Sequence, residues 1–235
     1  MVKFKHTYSF FSNEQECVQA ILDIHNNGNP IELDPMYNQG MFYKELVQKP
    51  KYRFDINADK KGYDAVQGDA TNLPIKDNTI RCIMLDPPFM FGAHGSTDKN
   101  VINKRYTMFD TYEEMESCYK GILSEAYRVL GKGGICIFKC QDYTDSKTTM
   151  THCLVYEWAK ELGFYAKDIA ILNLDKDKIF NGNLQQRHLR KTHCYFWVFQ
   201  KVNGDADFEI ATPDNIVDTN DESLVKPTMT NVDLW

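Results

Sequence analysis

The stretch "IMLDPPFMFG", Ile83–Gly92, decides how this chain of 235 residues is read. An apolar run that closes on an aspartate and two prolines reads as a buried strand stopped at its carboxyl end. Proline fixes φ and has no amide hydrogen to offer a ladder, so the strand cannot continue through it. The same two residues leave a carboxylate beside a rigid backbone that adds no competing donor. That combination is chemical as well as structural.

Working outward, strand-like and helix-like runs alternate. "NEQECVQAILDIHNN" has Val18, Ala20, Ile21 and Ile24 at helical spacing, with Ser12 or Asn13 placed to cap it. Then come the short strands "PIEL", "KYRFDI" and "DAVQG", followed by "TIRCIMLD". A helix is predicted over 112–130 from Met115, Tyr119, Ile122, Ala126 and Leu130, ended by "GKGG" as a glycine cap. "GICIFKC" reads as a strand, "TMTHCLVYEWAKELGF" as a helix, and "AKDIAIL" and "HCYFWVFQK" as the last two strands. Helices between strands imply right-handed crossovers and a mostly parallel sheet covered on both faces. The last two strands, with no helix between them, are expected to form an antiparallel pair at the edge.

In an open sheet of this kind ligands bind beyond the carboxyl ends of the strands. The residues just after each strand are therefore the candidate site. After the first comes "LDPMYNQG", with Asp34, Pro35, Met36, Asn38 and then Gly40, expected to open a helix and let the backbone approach a ligand closely. After the second comes Asp55, 21 positions beyond Asp34, where doubly wound folds place an acid that binds the ribose hydroxyls of adenosine. After the third, "GDATNLP" offers Asp69, available to an adenine amino group, and Ala70. After the fourth comes Asp86. Each acid taken singly suits a helix cap or a loop, but four in register at consecutive strand ends suit a binding edge.

Composition narrows the classes. The hydrophobic fraction of 43% is that of a globular protein, and no apolar run nears the roughly 20 residues needed to span a bilayer. "MVKFKHTYSFFSNEQE" turns polar too early for a secretory signal, so a cytoplasmic protein is expected. Seven cysteines without a C-x-x-C pair and six scattered histidines argue for reduced thiols and no metal site. The net charge of -6 is uneven: residues 203–235 hold eight acids and one base, leaving 26 bases and 25 acids, a net of +1, in residues 1–202. One domain over 1–202 and a loosely ordered acidic extension over 203–235 are expected.

This pattern resembles the class I S-adenosylmethionine-dependent methyltransferases. "DPPF" narrows the resemblance to the amino-methyltransferases with an Asp/Asn-Pro-Pro-aromatic signature, such as those acting on adenine N6 or cytosine N4 of DNA. It runs from Ile31 to Lys201, cofactor half first, and also takes in "GDATNLP", "RVLGKGGICIFK" and "RHLRKTHCYFWVFQK"; Asn38 stands where the family has the first glycine of its cofactor loop. Asparagine tolerates left-handed backbone angles better than most residues.

The resemblance implies a single-domain α/β, Rossmann-like fold with an antiparallel last strand. It implies S-adenosylmethionine held by Asp34, Pro35, Met36, Asn38, Gly40, Asp55, Asp69 and Ala70. Asp86 and the Pro87 carbonyl would accept the two hydrogens of an exocyclic amine, Pro88 would keep the backbone rigid, and Phe89 would stack on a base held outside its helix. Basic and aromatic residues interleave at Lys104, Arg105 and Tyr106 and again at Arg190 and Lys191, as suits nucleic-acid contacts. Adenine N6 in DNA is the expected target. An RNA base methyltransferase and a catalytically weak binding module on the same fold are the alternatives; protein glutamine methylation is disfavoured because that group resembles Asn-Pro-Pro-Tyr.

Overall fold

The apolar run before Asp86 is a strand with neighbours on every side. The computed structural model describes residues 7–91, 109–144, 147–174 and 187–204. Its elements are β1 (Phe10–Phe11), α1 (Glu14–His25), β2 (Leu33–Asp34), β3 (Tyr52–Asp55), α2 (Ala58–Lys61), β4 (Val66–Gln67) and β5 (Ile80–Leu85), then α3 (Tyr112–Val129), β6 (Leu130–Cys140), β7 (Tyr143–Thr144), β8 (Thr148–Thr149), α4 (Thr151–Glu161), β9 (Phe164–Asn173) and β10 (His193–Lys201). Eight strands form one sheet in the order β1-β9-β10-β6-β5-β2-β3-β4, and β7 and β8 form a separate hairpin. The pairs among β4, β3, β2, β5 and β6 are parallel, whereas β10 runs antiparallel to both β6 and β9.

Each face of the sheet has its own core. Ile83 and Leu85 of β5 and Cys136 and Phe138 of β6 meet α3 and α4 through Met115, Tyr119, Ile122, Leu123, Val155 and Trp158. The alternate residues Cys82 and Met84, with Ile135 and Ile137, meet Cys17, Val18, Ile21 and Leu22 of α1 and the loop residues Tyr37, Phe42, Tyr43 and Val47. A strand buried on both faces has no position left for alternation, so five of the six residues of β5 are buried. Burying one Leu-sized side chain stabilises by roughly 1.5–3 kcal/mol, so α3, with Met115, Ile122, Leu123 and Val129 fully inside, is held by packing. Local caps define the helix starts. Asn13 Oδ1 accepts from the amides of Gln15 and Glu16, and Thr111 Oγ1 accepts from that of Glu114.

The Rossmann-like α/β sheet agrees with expectation, with three local corrections. The "GKGG" segment does not cap α3: Leu130 is already extended, and these glycines lie inside β6. A Cβ on Gly134 would stand 2.9–3.1 Å from the carbonyl oxygens of Gly131, Arg81 and Ile80, so glycine is required by close backbone approach. The end of α3 is satisfied instead by buried Lys201 of β10, whose Nζ donates to the Tyr127 and Leu130 carbonyls at 2.7 and 2.8 Å and to Asn78 Oδ1.

Gly40 opens no helix either. Residues 40–47 run in turns that turn Phe42 and Tyr43 inward, and Gln15 Oε1 of α1 accepts from the amides of Glu45 and Leu46. Finally, β9 and β10 pair antiparallel as expected but not at the margin. β10 lies between β6 and β9, and the edge belongs to β1, whose Phe10 and Phe11 pair in parallel with Ile171 and Leu172.

The expected extension lies, from residue 205 onward, outside the described residues, as do Lys104, Arg105 and Tyr106. None of the seven cysteines is in a disulfide. Among the described residues no helix is long and apolar enough to cross a membrane, and no cluster of His, Cys, Asp or Glu is placed to hold a metal ion.

Candidate active site

Because β2, β3, β4 and β5 are parallel, the residues that follow them emerge at one edge of the sheet. Asp34 and Asp55, the last residues of β2 and β3, and Asp69 and Asp86, just beyond β4 and β5, are therefore brought to a common side.

Their surroundings differ sharply. Asp34 is only 2% exposed. Its Oδ2 accepts from Tyr43 Oη at 2.6 Å and its Oδ1 from the Met36 amide at 2.9 Å, so it anchors its own loop from inside. Burial pushes its pKa up to about 7, against the lowering effect of those two bonds, and the nearby charges of Asp86 and Asp55 add to the rise.

The loop over this anchor turns tightly. Asn38 has φ 50° and Gly40 φ 63°, both left-handed. The Asn38 amide donates to Asp55 Oδ2 at 3.0 Å, and the Asn57 amide donates to Oδ1 at 2.7 Å. Tyr37 lies stacked on Tyr43, ring centroids 5.5 Å apart, with the Arg53 guanidinium 5.7 Å from its centroid. Asp69 is exposed, its Oδ1 accepting from the amide and hydroxyl of Thr71, and Ala70 behind it is buried. The segment after Asp69 is clamped to α3 by Glu125, which accepts from the Leu73 amide, and by Arg128, which donates to the Leu73 and Ile75 carbonyls.

Asp86 leaves β5 next to a residue that the sequence does not single out, Lys139. Its Oδ2 lies 3.4 Å from Nζ of Lys139 on β6, while its Oδ1 is buried without a hydrogen-bond partner among the described residues. Lys139 also pairs with Glu14 Oε1 of α1 at 2.8 Å. The rings of Phe42, Phe89 and Phe196 stand 4.8, 5.5 and 5.7 Å from the same ammonium. Burial raises the Asp86 pKa above the ordinary carboxylate value, Lys139 pulls it down, and Glu14 raises it. Burial alone would lower Lys139, but Asp86 and Glu14 outweigh it and hold the ammonium above the usual lysine range. The one sequence signal for Lys139 was a cation inside the otherwise apolar strand "GICIFKC".

The backbone after Asp86 is pinned. Tyr119 Oη of α3 donates to the Pro88 carbonyl at 2.8 Å, and the Phe109 amide donates to the Met90 carbonyl. Pro87 is buried and Phe89 partly exposed. Phe89 forms one wall of a cavity of about 410 Å³ bounded further by Gln141, Asp142, Tyr143, Arg190 and Lys191. Arg190 and Lys191 are thus brought to the side of Phe89.

The floor of this cavity is a polar cluster that sequence reading also missed. Gln141 Nε2 donates to the carbonyls of Lys191 and His193, tying the end of β6 to the start of β10. Buried Asp142 bonds His152 Nδ1 at 2.7 Å, and the His152 ring stacks on Tyr195 with centroids 4.2 Å apart. Asp142 lies between β6 and β7 and His152 ten positions on in α4, so no local pattern pairs them.

No curated protein matches the sequence. Among solved structures, a protein of Thermus thermophilus assigned to the DNA modification methylases is similar at 15% identity and TM-score 0.40, over 60% of this chain and 53% of that one. The cytosine-N4-specific PvuII DNA methyltransferase is similar at 10% identity and TM-score 0.38, over 59% of this chain and 49% of that one. The 1,6-didemethyltoxoflavin-N1-methyltransferase of Burkholderia thailandensis is similar at 14% identity and TM-score 0.48, over 81% and 79%. The chain spans about half the length of the Thermus and PvuII proteins. The family model described as DNA methylase, of the N6/N4 methyltransferase type, matches residues 80–232, from the first residue of β5 through "DPPF" and beyond, and the chain belongs to that family.

Proposed function

We propose that this protein transfers a methyl group from S-adenosylmethionine to an exocyclic amino nitrogen of a base in DNA, with adenine N6 as the target. The observation that carries the reading is Asp86. It is a carboxylate at the carboxyl end of a central strand, with one oxygen held by Lys139 and the other buried without a partner among the described residues, beside an aromatic ring that opens on a cavity.

The residues at the other strand ends fit the cofactor. A carboxylate has about four acceptor positions, and the two loop amides take two of those on Asp55, leaving acceptors for a pair of ribose hydroxyls. Asp69, exposed at the next strand end, can accept from an adenine amino group. Beside the left-handed turn at Asn38 and Gly40, Pro35 and Met36 would shape the entry and Ala70 the far wall. Asp34 acts from beneath by holding Met36 and Tyr43. When bound, S-adenosylmethionine supplies an electrophilic methyl on a sulfonium.

The chemistry left to the chain is positioning and proton management. An exocyclic amine is a weak nucleophile because its lone pair is delocalised into the ring. Asp86 and the Pro87 carbonyl accept the amine hydrogens, draw the nitrogen toward a tetrahedral shape and aim its lone pair. Once the nitrogen–methyl bond forms, the nitrogen carries a positive charge and must lose one proton. Asp86, whose proton affinity burial has raised, is the adjacent base. Phe89 stacks on the base after it leaves its helix, and Arg190 and Lys191 meet the phosphates.

The test is mass spectrometry of nucleosides from DNA and RNA incubated with S-adenosylmethionine and either the wild type or Asp86→Ala. N6-methyldeoxyadenosine made by the wild type only, with cofactor binding by calorimetry the same in both, is expected. Full activity in Asp86→Ala, or methylation confined to RNA, would sink the reading.

A further inference from the structure

Lys139 is a costly residue at its position. It is 9% exposed, it follows Ile137 and Phe138 in a strand of apolar side chains, and its ammonium is walled by three phenylalanine rings. Replacing a buried ion pair by well-packed apolar residues is often neutral or stabilising, so stability alone does not call for a lysine there. What the ammonium does touch is Glu14 of α1 on one side and Asp86 of β5 on the other.

Resting on the reading of Asp86 as the amine acceptor, we propose that Lys139 and Glu14 are positioning residues for methyl transfer: a carboxylate–ammonium–carboxylate chain around a buried lysine that fixes the orientation and the charge of Asp86. Lys139 engages Oδ2 and thereby leaves Oδ1 as the acceptor without a partner among the described residues. A lysine by itself would cancel the charge of Asp86 and weaken its attraction for a nitrogen that turns positive. Glu14 removes that defect. With two carboxylates and one ammonium the trio keeps a net charge of -1, so Asp86 is held ionised while the site stays negative. The Lys139 ammonium also lies near the Phe89 ring, which links the charge chain to the surface that stacks on the base.

The two partners act on the Asp86 proton in opposite directions. Lys139 lowers its affinity, Glu14 raises it, and burial is the background common to both. The other ionisable groups around the trio are Cys17 of α1 beside Glu14 and Lys139, Asp34 of β2, Tyr119 of α3, Cys140 of β6, and Cys194 of β10 beside Lys139. None of them bridges Asp86 to a second charge at hydrogen-bond distance among the described residues.

Opposite signs give a test that a packing role would not pass. The full chain is prepared as wild type, Lys139→Met and Glu14→Gln; the last is isosteric and keeps the test available if the first unfolds. The Asp86 carboxyl is followed by carbon-13 NMR titration, its signal assigned by its loss in Asp86→Asn, alongside the pH profile of kcat and calorimetric binding of S-adenosylmethionine. Lys139→Met is expected to move the Asp86 titration and the acid limb of kcat up by at least about one pH unit, the usual effect of losing an opposite charge at this range. On the acid limb, below both titration points, its kcat should fall at least about tenfold relative to the wild type and recover as pH rises, with cofactor binding unchanged. Glu14→Gln should move both curves down.

Titration curves that stay in place in both variants, or move the same way, would overturn the proposal. Opposite shifts in a chain that methylates no amine would instead leave the charge chain standing and sink the reading of function.

Discussion

Asp34→Asn keeps the shape of a buried side chain and removes its charge. The sign of its effect on stability follows from linkage. Below about pH 4 the carboxyl holds its proton in both the folded and the unfolded chain, so the contribution of the protonated group is present in full. As pH rises toward 7 the unfolded chain ionises while the folded one keeps its proton, and stability is lost progressively. Above the folded pKa of about 7 both are ionised and the penalty is constant. The distance from 3.8 to about 7, at about 1.36 kcal/mol for each tenfold in proton affinity, makes the ionised group cost about 4 kcal/mol.

Urea unfolding of wild type and variant should be measured at steps from about pH 4 to pH 8.5. At the acid end the variant is expected to be equal or slightly weaker, since its amide nitrogen must face the Tyr43 hydroxyl in place of an acceptor. The difference should then swing in favour of the variant across pH 4–7 and level off near pH 8 at up to about 4 kcal/mol. A difference that does not change with pH would refute the reasoning and show Asp34 ionised in the fold at all these pH values.

Phe89→Ala should weaken binding of single-stranded DNA by about 1–3 kcal/mol, the worth of one base stacked on an aromatic ring, with little change for S-adenosylmethionine; equal DNA affinity at matched salt would remove Phe89 from the base site. Gly40→Ala drives a Cβ into the Tyr37 hydroxyl at φ 63°, whereas Gly62→Ala has φ 64° and nothing within 4 Å. Both carry the left-handed strain of roughly 1–2 kcal/mol, so only Gly40→Ala should lose further melting temperature and cofactor affinity as Tyr37 leaves its stack on Tyr43. Equal losses in the two variants would show that the contact with Tyr37 yields freely.

The alternation of strands and helices and the stop at Asp86 were legible in the sequence because they are local. A strand covered on both faces must be apolar nearly throughout, proline must end it, and a helix cap is written within three residues, as at Asn13. Parallel pairing then carries the acids at or just beyond the ends of β2, β3, β4 and β5 to one edge without further information.

Tertiary structure decided what depends on distant atoms. A glycine needed as a helix cap and one needed for close strand contact look alike in sequence; Gly134 is the second kind because the carbonyls of Ile80 and Arg81, more than fifty positions away, lie against it. The cap that α3 lacks comes from Lys201. Glu14, Asp86 and Lys139 span 125 positions and share no motif. They meet because β5 and β6 are neighbours in the sheet, because alternation turns Lys139 to the same face as α1, and because a buried ammonium in that apolar layer must find carboxylates within reach or pay for its desolvation.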